Sequence, residues 1–172
     1  MPKQEFSPTD IAVGARMMLA LALITLAGCQ SYQSPATQPD AAACFMEGYA
    51  KESKGDWGGA IADFNKAIEL NPDYVGAYYN RGMAKKNKGD MDGAIADYTK
   101  AIELEPNVEL AWLNRGEAKK GKGDMAGALA DFSKAVELEP NDANAYVSRG
   151  IEEQHKGDAD NAIADLTRAI EL

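Results

Sequence analysis

Residues 75–108 read VGAYYNRGMAKKNKGDMDGAIADYTKAIELEPNV, and the segments on either side repeat that pattern without an insertion. Lys-Gly-Asp triplets end at Asp56, Asp90, Asp124 and Asp158, 34 residues apart each time. A fixed period of this size marks a supersecondary unit that cannot bury its own apolar face and so stacks on copies of itself. The units run 41–74, 75–108, 109–142 and 143–172.

Within a unit the punctuation predicts two helices. Lys54, Lys88, Lys122 and Lys156 suit the negative end of a first helix, and the glycine after each can take the left-handed conformation that stops it. The aspartate that follows is a preferred N-cap for a second helix, which Pro72, Pro106 and Pro140 close in three units. Ala60, Ile61, Phe64, Ala67 and Ile68 recur at helical spacing, as do Ala94, Ile95, Tyr98, Ala101 and Ile102, so one side of each hairpin is apolar. Small residues at the eighth position (Gly48, Gly82, Gly116, Gly150) and the twentieth (Ala60, Ala94, Ala128, Ala162) permit close helix approach. The aromatic at the fourth (Tyr78, Trp112, Tyr146) is expected to fill the space beside them.

These columns, with Phe64, Tyr98, Phe132 and Leu166 at the twenty-fourth position and Ala67, Ala101, Ala135 and Ala169 at the twenty-seventh, resemble the tetratricopeptide repeat family. The resemblance covers residues 41–172. It implies an all-α solenoid of four helix-turn-helix hairpins whose first helices line a concave, peptide-binding face.

One column departs from the family: the seventh position, commonly leucine there, is Arg81, Arg115 and Arg149 in units two to four and Glu47 in unit one. Asp63, Asp97, Asp131 and Asp165 recur at the twenty-third. Each arginine is expected to pair with the aspartate of the preceding unit (Asp63 with Arg81, Asp97 with Arg115, Asp131 with Arg149), so that unit one needs none. If both columns are only solvated surface, such pairs contribute about 0 to 1 kcal/mol.

Before the repeats, Met17 to Ala27 is an apolar run too short to span a bilayer, preceded by Arg16 and followed by Gly28 and Cys29. Leu26-Ala27-Gly28-Cys29 resembles the bacterial lipobox. That resemblance implies a lipoprotein signal peptide over 1–28, acyl chains on Cys29, and, with Gln30 rather than Asp following, an outer-membrane anchor facing the periplasm. An ordinary secretory signal or a later start codon reads the same residues differently, since the long leading segment balances Lys3 and Arg16 against Glu5 and Asp10. Residues 29–40 then form the lipidated cysteine and a polar, proline-containing tether.

The formal net charge of the chain is −9. Removing the first 28 residues takes two charges of each sign and leaves 25 acidic against 16 basic, which argues against nucleic acid and against adhesion to an anionic membrane. Contact with the membrane is then through the lipid anchor only. Cys44 is the one unlipidated cysteine and is expected to be a buried, inert thiol. His155, the only histidine, lies beside the last Lys-Gly-Asp turn in a column that holds Ser53, Asn87 and Gly121 elsewhere, which reads as a surface position. With one histidine, one free thiol, no phosphate-cradling loop and acids dispersed rather than at metal-ligand spacing, no catalytic residue, metal site or cofactor is expected.

Binding is the function left. By the family's pattern the second, fifth, ninth and twelfth positions line the groove. The candidate residues are Phe45, Tyr49, Tyr79, Met83, Lys86, Leu113, Glu117, Lys120, Val147 and Ile151. Such a lining suits an extended peptide or a partner helix with apolar anchors. The family's clamp for a terminal carboxylate is matched only at Asn80 and Asn114, because Phe45, Tyr49, Tyr79 and Met83 stand where its lysine and asparagine are expected. The outer face of the last hairpin, with Ile163, Leu166 and Ile170, has no further helix over it in the sequence and offers a route to a homo-oligomer.

Overall fold

The computed structural model describes residues 40–172, which form eight helices and no strand. The signal segment, Cys29 and the tether up to residue 39 lie outside the described residues. The helices are α1 (Ala41–Glu52), α2 (Trp57–Leu70), α3 (Val75–Asn87), α4 (Met91–Leu104), α5 (Glu109–Gly121), α6 (Met125–Leu138), α7 (Ala143–Lys156) and α8 (Ala159–Glu171). Each odd helix pairs with the next to make a hairpin, and each hairpin packs on its successor. The first helices also touch across units, α1 with α3 and α3 with α5, which puts them on the inner side of the stack.

The turns follow the sequence signals. Gly89 has φ +84°, the Asp90 amide donates back to Lys85 O at 2.9 Å, and the Gly89 amide donates to Lys86 O at 2.9 Å, so the last carbonyls of α3 are satisfied. Gly55, Gly123 and Gly157 repeat that conformation. Asp56, Asp90 and Asp124 then cap α2, α4 and α6 by accepting from Gly59, Gly93 and Gly127 amides at 2.9 Å each.

Phe64, Tyr98 and Phe132 are fully buried, with Ala60, Ala67, Ala94, Ala101, Ala128 and Ala135 around them. The space beside Gly48, Gly82 and Gly116 is filled by these rings, and that beside Gly150 by Leu166, not by the fourth-position aromatics. A Cβ on Gly82 would lie 2.9 Å from Tyr98. Tyr78 and Trp112 instead pack around Ala101, Ile102 and Ala111, and each lies under the arginine three positions on, at 5.4 Å for Arg81 and 4.8 Å for Arg115. Cys44 is buried and free.

The arginine–aspartate columns do pair, but inside one unit. Arg81 grips Asp97 in two-pronged fashion (Nε 2.8 Å, Nη2 2.6 Å), Arg115 grips Asp131 (2.8 and 2.7 Å), and Arg149 grips Asp165 (2.6 and 2.7 Å). The expected cross-unit pairs do not form. The reason is the hairpin: positions seven and twenty-three are equidistant from the glycine at position fifteen, so antiparallel helices bring them opposite each other. The link to the preceding unit runs through the spare arm, Arg81 Nη1 to Asn65 Oδ1 at 2.7 Å and Arg115 Nη1 to Thr99 Oγ1 at 3.1 Å. Lys85 and Lys119 add a second cation to Asp97 and Asp131, each at 2.8 Å, and in unit one Lys51 and Lys66 serve Asp63, at 2.5 and 3.5 Å. These aspartates are nearly fully buried, so they are not the solvated pairs of negligible worth.

Candidate functional site

The candidate lining residues lie on the first helices of the hairpins, and burial divides them into two tiers. Tyr49 and Val147 are exposed, and so is Leu110 at the second position of unit three. Phe45, Tyr79, Met83, Leu113 and Ile151 are half-buried, and the first four double as flanks of the core: Phe45 packs on Phe64 and Tyr74 (5.7 and 4.9 Å between centroids), and Tyr79 packs on Tyr98 (5.8 Å). Apolar anchors of a ligand would therefore meet Tyr49, Leu110 and Val147 first, with the half-buried rings as the floor.

A polar strip crosses that floor. Lys86 donates to Asn114 Oδ1 at 2.7 Å, and Asn114 Nδ2 donates to the Tyr79 hydroxyl at 3.1 Å. Burial lowers the Lys86 ammonium below its ordinary pKa and raises the Tyr79 hydroxyl above its own. Lys120 pairs with Glu117 at 2.8 Å and lies over the Phe132 ring at 5.9 Å. Asn114 is thus committed to Lys86 and Tyr79, and Asn80 donates to the Gly76 carbonyl at 3.0 Å, so neither asparagine is held out as a carboxylate clamp. Glu52, at the twelfth position of unit one, is buried with neither carboxylate oxygen accepting a hydrogen bond among the described residues, and burial raises its pKa.

At the junction of units three and four, Glu109 stands beside Asp142 and Glu139. Burial, followed by the Asp142 and Glu139 charges, pushes its pKa up to about 7. A carboxyl whose folded pKa exceeds its unfolded value holds a proton in the folded state that the unfolded chain releases. Stability from Glu109 is therefore fully present below the unfolded carboxylate value and is lost as pH rises through about 7. The thermal midpoint of the wild type is expected to fall from pH 5 to pH 8 by more than that of Glu109→Gln. Equal falls in the two proteins rule this assignment out.

Among the described residues no group of His, Cys, Asp and Glu is placed to hold a metal ion, and no helix is long and apolar enough to cross a membrane. His155 is exposed, but its Nδ1 lies 3.6 Å from Oε1 of the buried Glu152. Glu152 was detectable in the sequence: it interrupts a column otherwise held by Ala50, Ala84 and Ala118.

Four hairpins in sequence order, with a shared inner face built from their first helices, define an α-solenoid of helix-turn-helix repeats. Sequence models of such repeats, described as TPR repeat and tetratricopeptide repeat, match residues 48–89, 75–108 and 110–142. The chain belongs to the tetratricopeptide repeat family. No curated protein sequence matches it. Among solved structures it is similar to MamA from Desulfovibrio magneticus RS-1 (23% identity, 78% of this chain and 76% of that one, TM-score 0.73). It is also similar to the Arabidopsis OM64 TPR domain (29%, 67% and 95%, TM-score 0.65). A third likeness is to the first TPR of Spaghetti (RPAP3) bound to HSP90 peptide SRMEEVD (22%, 70% and 96%, TM-score 0.67). At these identities the likeness speaks for the fold.

Proposed function

We propose that this chain is a non-catalytic interaction scaffold that takes a peptide or partner helix in the groove of its inner helices. The observation that carries the reading is the pairing of exposed apolar side chains (Tyr49, Leu110, Val147) with a half-buried aromatic floor on the helices that face inward. That a similar repeat array is bound to a peptide supports it. The lipobox-like Leu26-Ala27-Gly28-Cys29 adds the place: an acylated Cys29 tethering the scaffold to the outer membrane, facing the periplasm.

The test is capture from envelope extracts with the full chain and a Tyr49→Ala/Leu110→Ala/Val147→Ala variant, whose changes sit on the surface and leave the core intact. The expected result is a partner retained by the wild type and reduced about tenfold or more in the variant. Undiminished capture by the variant sinks the groove reading. Acyl labelling that persists in Cys29→Ser removes the anchor.

A second reading rests on α8. Ile170 is 87% exposed and Ile163 64%, whereas Ile102, the counterpart of Ile170 in unit two, is 7% exposed. Self-association through this face is the alternative function. Oligomers that dissociate in Ile163→Ser/Ile170→Ser but persist in the groove variant select it.

A further inference from the structure

The junction between α6 and α7 differs from the one before it in several columns at once. At the α4–α5 junction Ala118 is fully buried, Gly121 sits against Met91, and Lys122 is ion-paired with Asp92. One unit on, those places hold Glu152, His155, Lys156 and Ala126. Ala126 cannot pair with Lys156, and the junction opens into a cavity of about 510 Å³ lined by Met125, Ala126, Leu129, Ala130 and Ser133 of α6 and by Glu152, His155 and Lys156 of α7. None of these residues belongs to the groove columns.

Glu152 makes the cavity more than a packing fault. It is 2% exposed, and neither carboxylate oxygen accepts a hydrogen bond within the described residues. Its nearest cationic candidate is His155, at 3.6 Å. A carboxylate oxygen can only accept, and burying one without a donor is strongly unfavourable. Among the described residues Glu152 thus has no donor, although Lys156 and His155 stand elsewhere in the wall, and Met125, Ala126, Leu129 and Ala130 give the wall its apolar part.

We propose that this cavity is a second binding site, distinct from the groove, for a short primary alkylammonium group whose alkyl stem lies on Met125, Ala126, Leu129 and Ala130 and whose ammonium donates to Glu152. The volume falls in the range of small-ligand pockets, about 300 to 1,000 Å³. An ammonium brings three donors to two unmet oxygens, a need that an alcohol meets only in part. A carboxylate ligand has nothing to offer Glu152. Lys156 and His155 at the wall limit the site to one cationic head.

Methionine-methyl NMR on the full chain tests this, because Met125 reports on the cavity while Met46, on α1, does not. Titration with n-butylammonium is expected to shift the Met125 methyl saturably and leave Met46 in place. Butan-1-ol is expected to bind about tenfold more weakly or worse, and butyrate not at all. Glu152→Ala restores the alanine that the column carries elsewhere, so it is expected to fold, as circular dichroism checks. It and Glu152→Gln are each expected to weaken butylammonium about tenfold or more. Binding of Nα-acetyl-lysine methylamide with the same Glu152 dependence extends the ligand to a lysine side chain, and its failure to bind restricts the ligand to free amines. A Met125 signal that does not saturate, equal affinity for butanol, binding of butyrate, or undiminished binding in both Glu152 variants overturns the proposal.

Discussion

Asp131→Ala is expected to lower stability by about 3 kcal/mol, the lower end of the range for breaking a buried ion pair. Asp131 is 2% exposed and receives Arg115 through two bonds and Lys119 through a third contact at 2.8 Å. Its removal leaves two cations on adjacent turns of α5, both largely withdrawn from water, with no acceptor between them. The figure sits at the lower end because Arg115 and Lys119 keep some solvent contact and Arg115 retains Thr99 across the unit boundary. Urea titration followed by circular dichroism reads the loss as a lower midpoint. A double-mutant cycle on Asp131 and Arg115 is expected to give a coupling of about 1 to 3 kcal/mol, while the cycle on Asp97 and Arg115 gives close to zero. The reverse ranking restores the cross-unit pairing and contradicts the hairpin geometry.

That pair shows how far the sequence could be read. The 34-residue period, the glycine stops and the aspartate caps are local signals. A left-handed residue or a cap depends on only a few neighbours, so helix bounds and hairpin order followed directly from the residues. The partner of a side chain depends on rotation about the helix axis, which a column of letters does not carry. The letters therefore show that the arginine and aspartate columns are complementary, but not that each arginine meets the aspartate of its own unit and not that of the preceding one. The same holds for the fourth-position aromatics: spacing puts them on the apolar side, but only the crossing of the two helices decides whether Tyr78 or Tyr98 meets Gly82. For the candidate groove residues, spacing gives a column but not a depth. Phe45 and Tyr79 occupy groove columns and also brace the core, because a ring is long enough to serve both. Glu152 was visible as a break in an alanine column, and only its burial without a donor gave the break meaning.

The hairpin crossing itself yields the other large effect. Phe132→Ala is expected to cost about 4 kcal/mol, within the range for truncating a fully buried phenylalanine, because the ring is wholly enclosed and its edge rests on the bare backbone of Gly116. A Cβ at Gly116 would lie 2.5 Å from Phe132 Cε1 and 2.8 Å from Cδ1, closer than the enclosed ring can yield. Gly116→Ala alone is therefore expected to destabilise, although alanine in a helix interior is otherwise favoured over glycine by about 1 kcal/mol. In the Phe132→Ala background the sign reverses. The ring has gone, the new methyl occupies part of the space it left, and the helix-propensity gain is no longer opposed, so the double variant is expected to recover about 1 to 2 kcal/mol. The same urea titration across the four proteins reads this sign change directly. If Gly116→Ala is stabilising in both backgrounds, the first and second helices do not approach as closely as the glycine column implies.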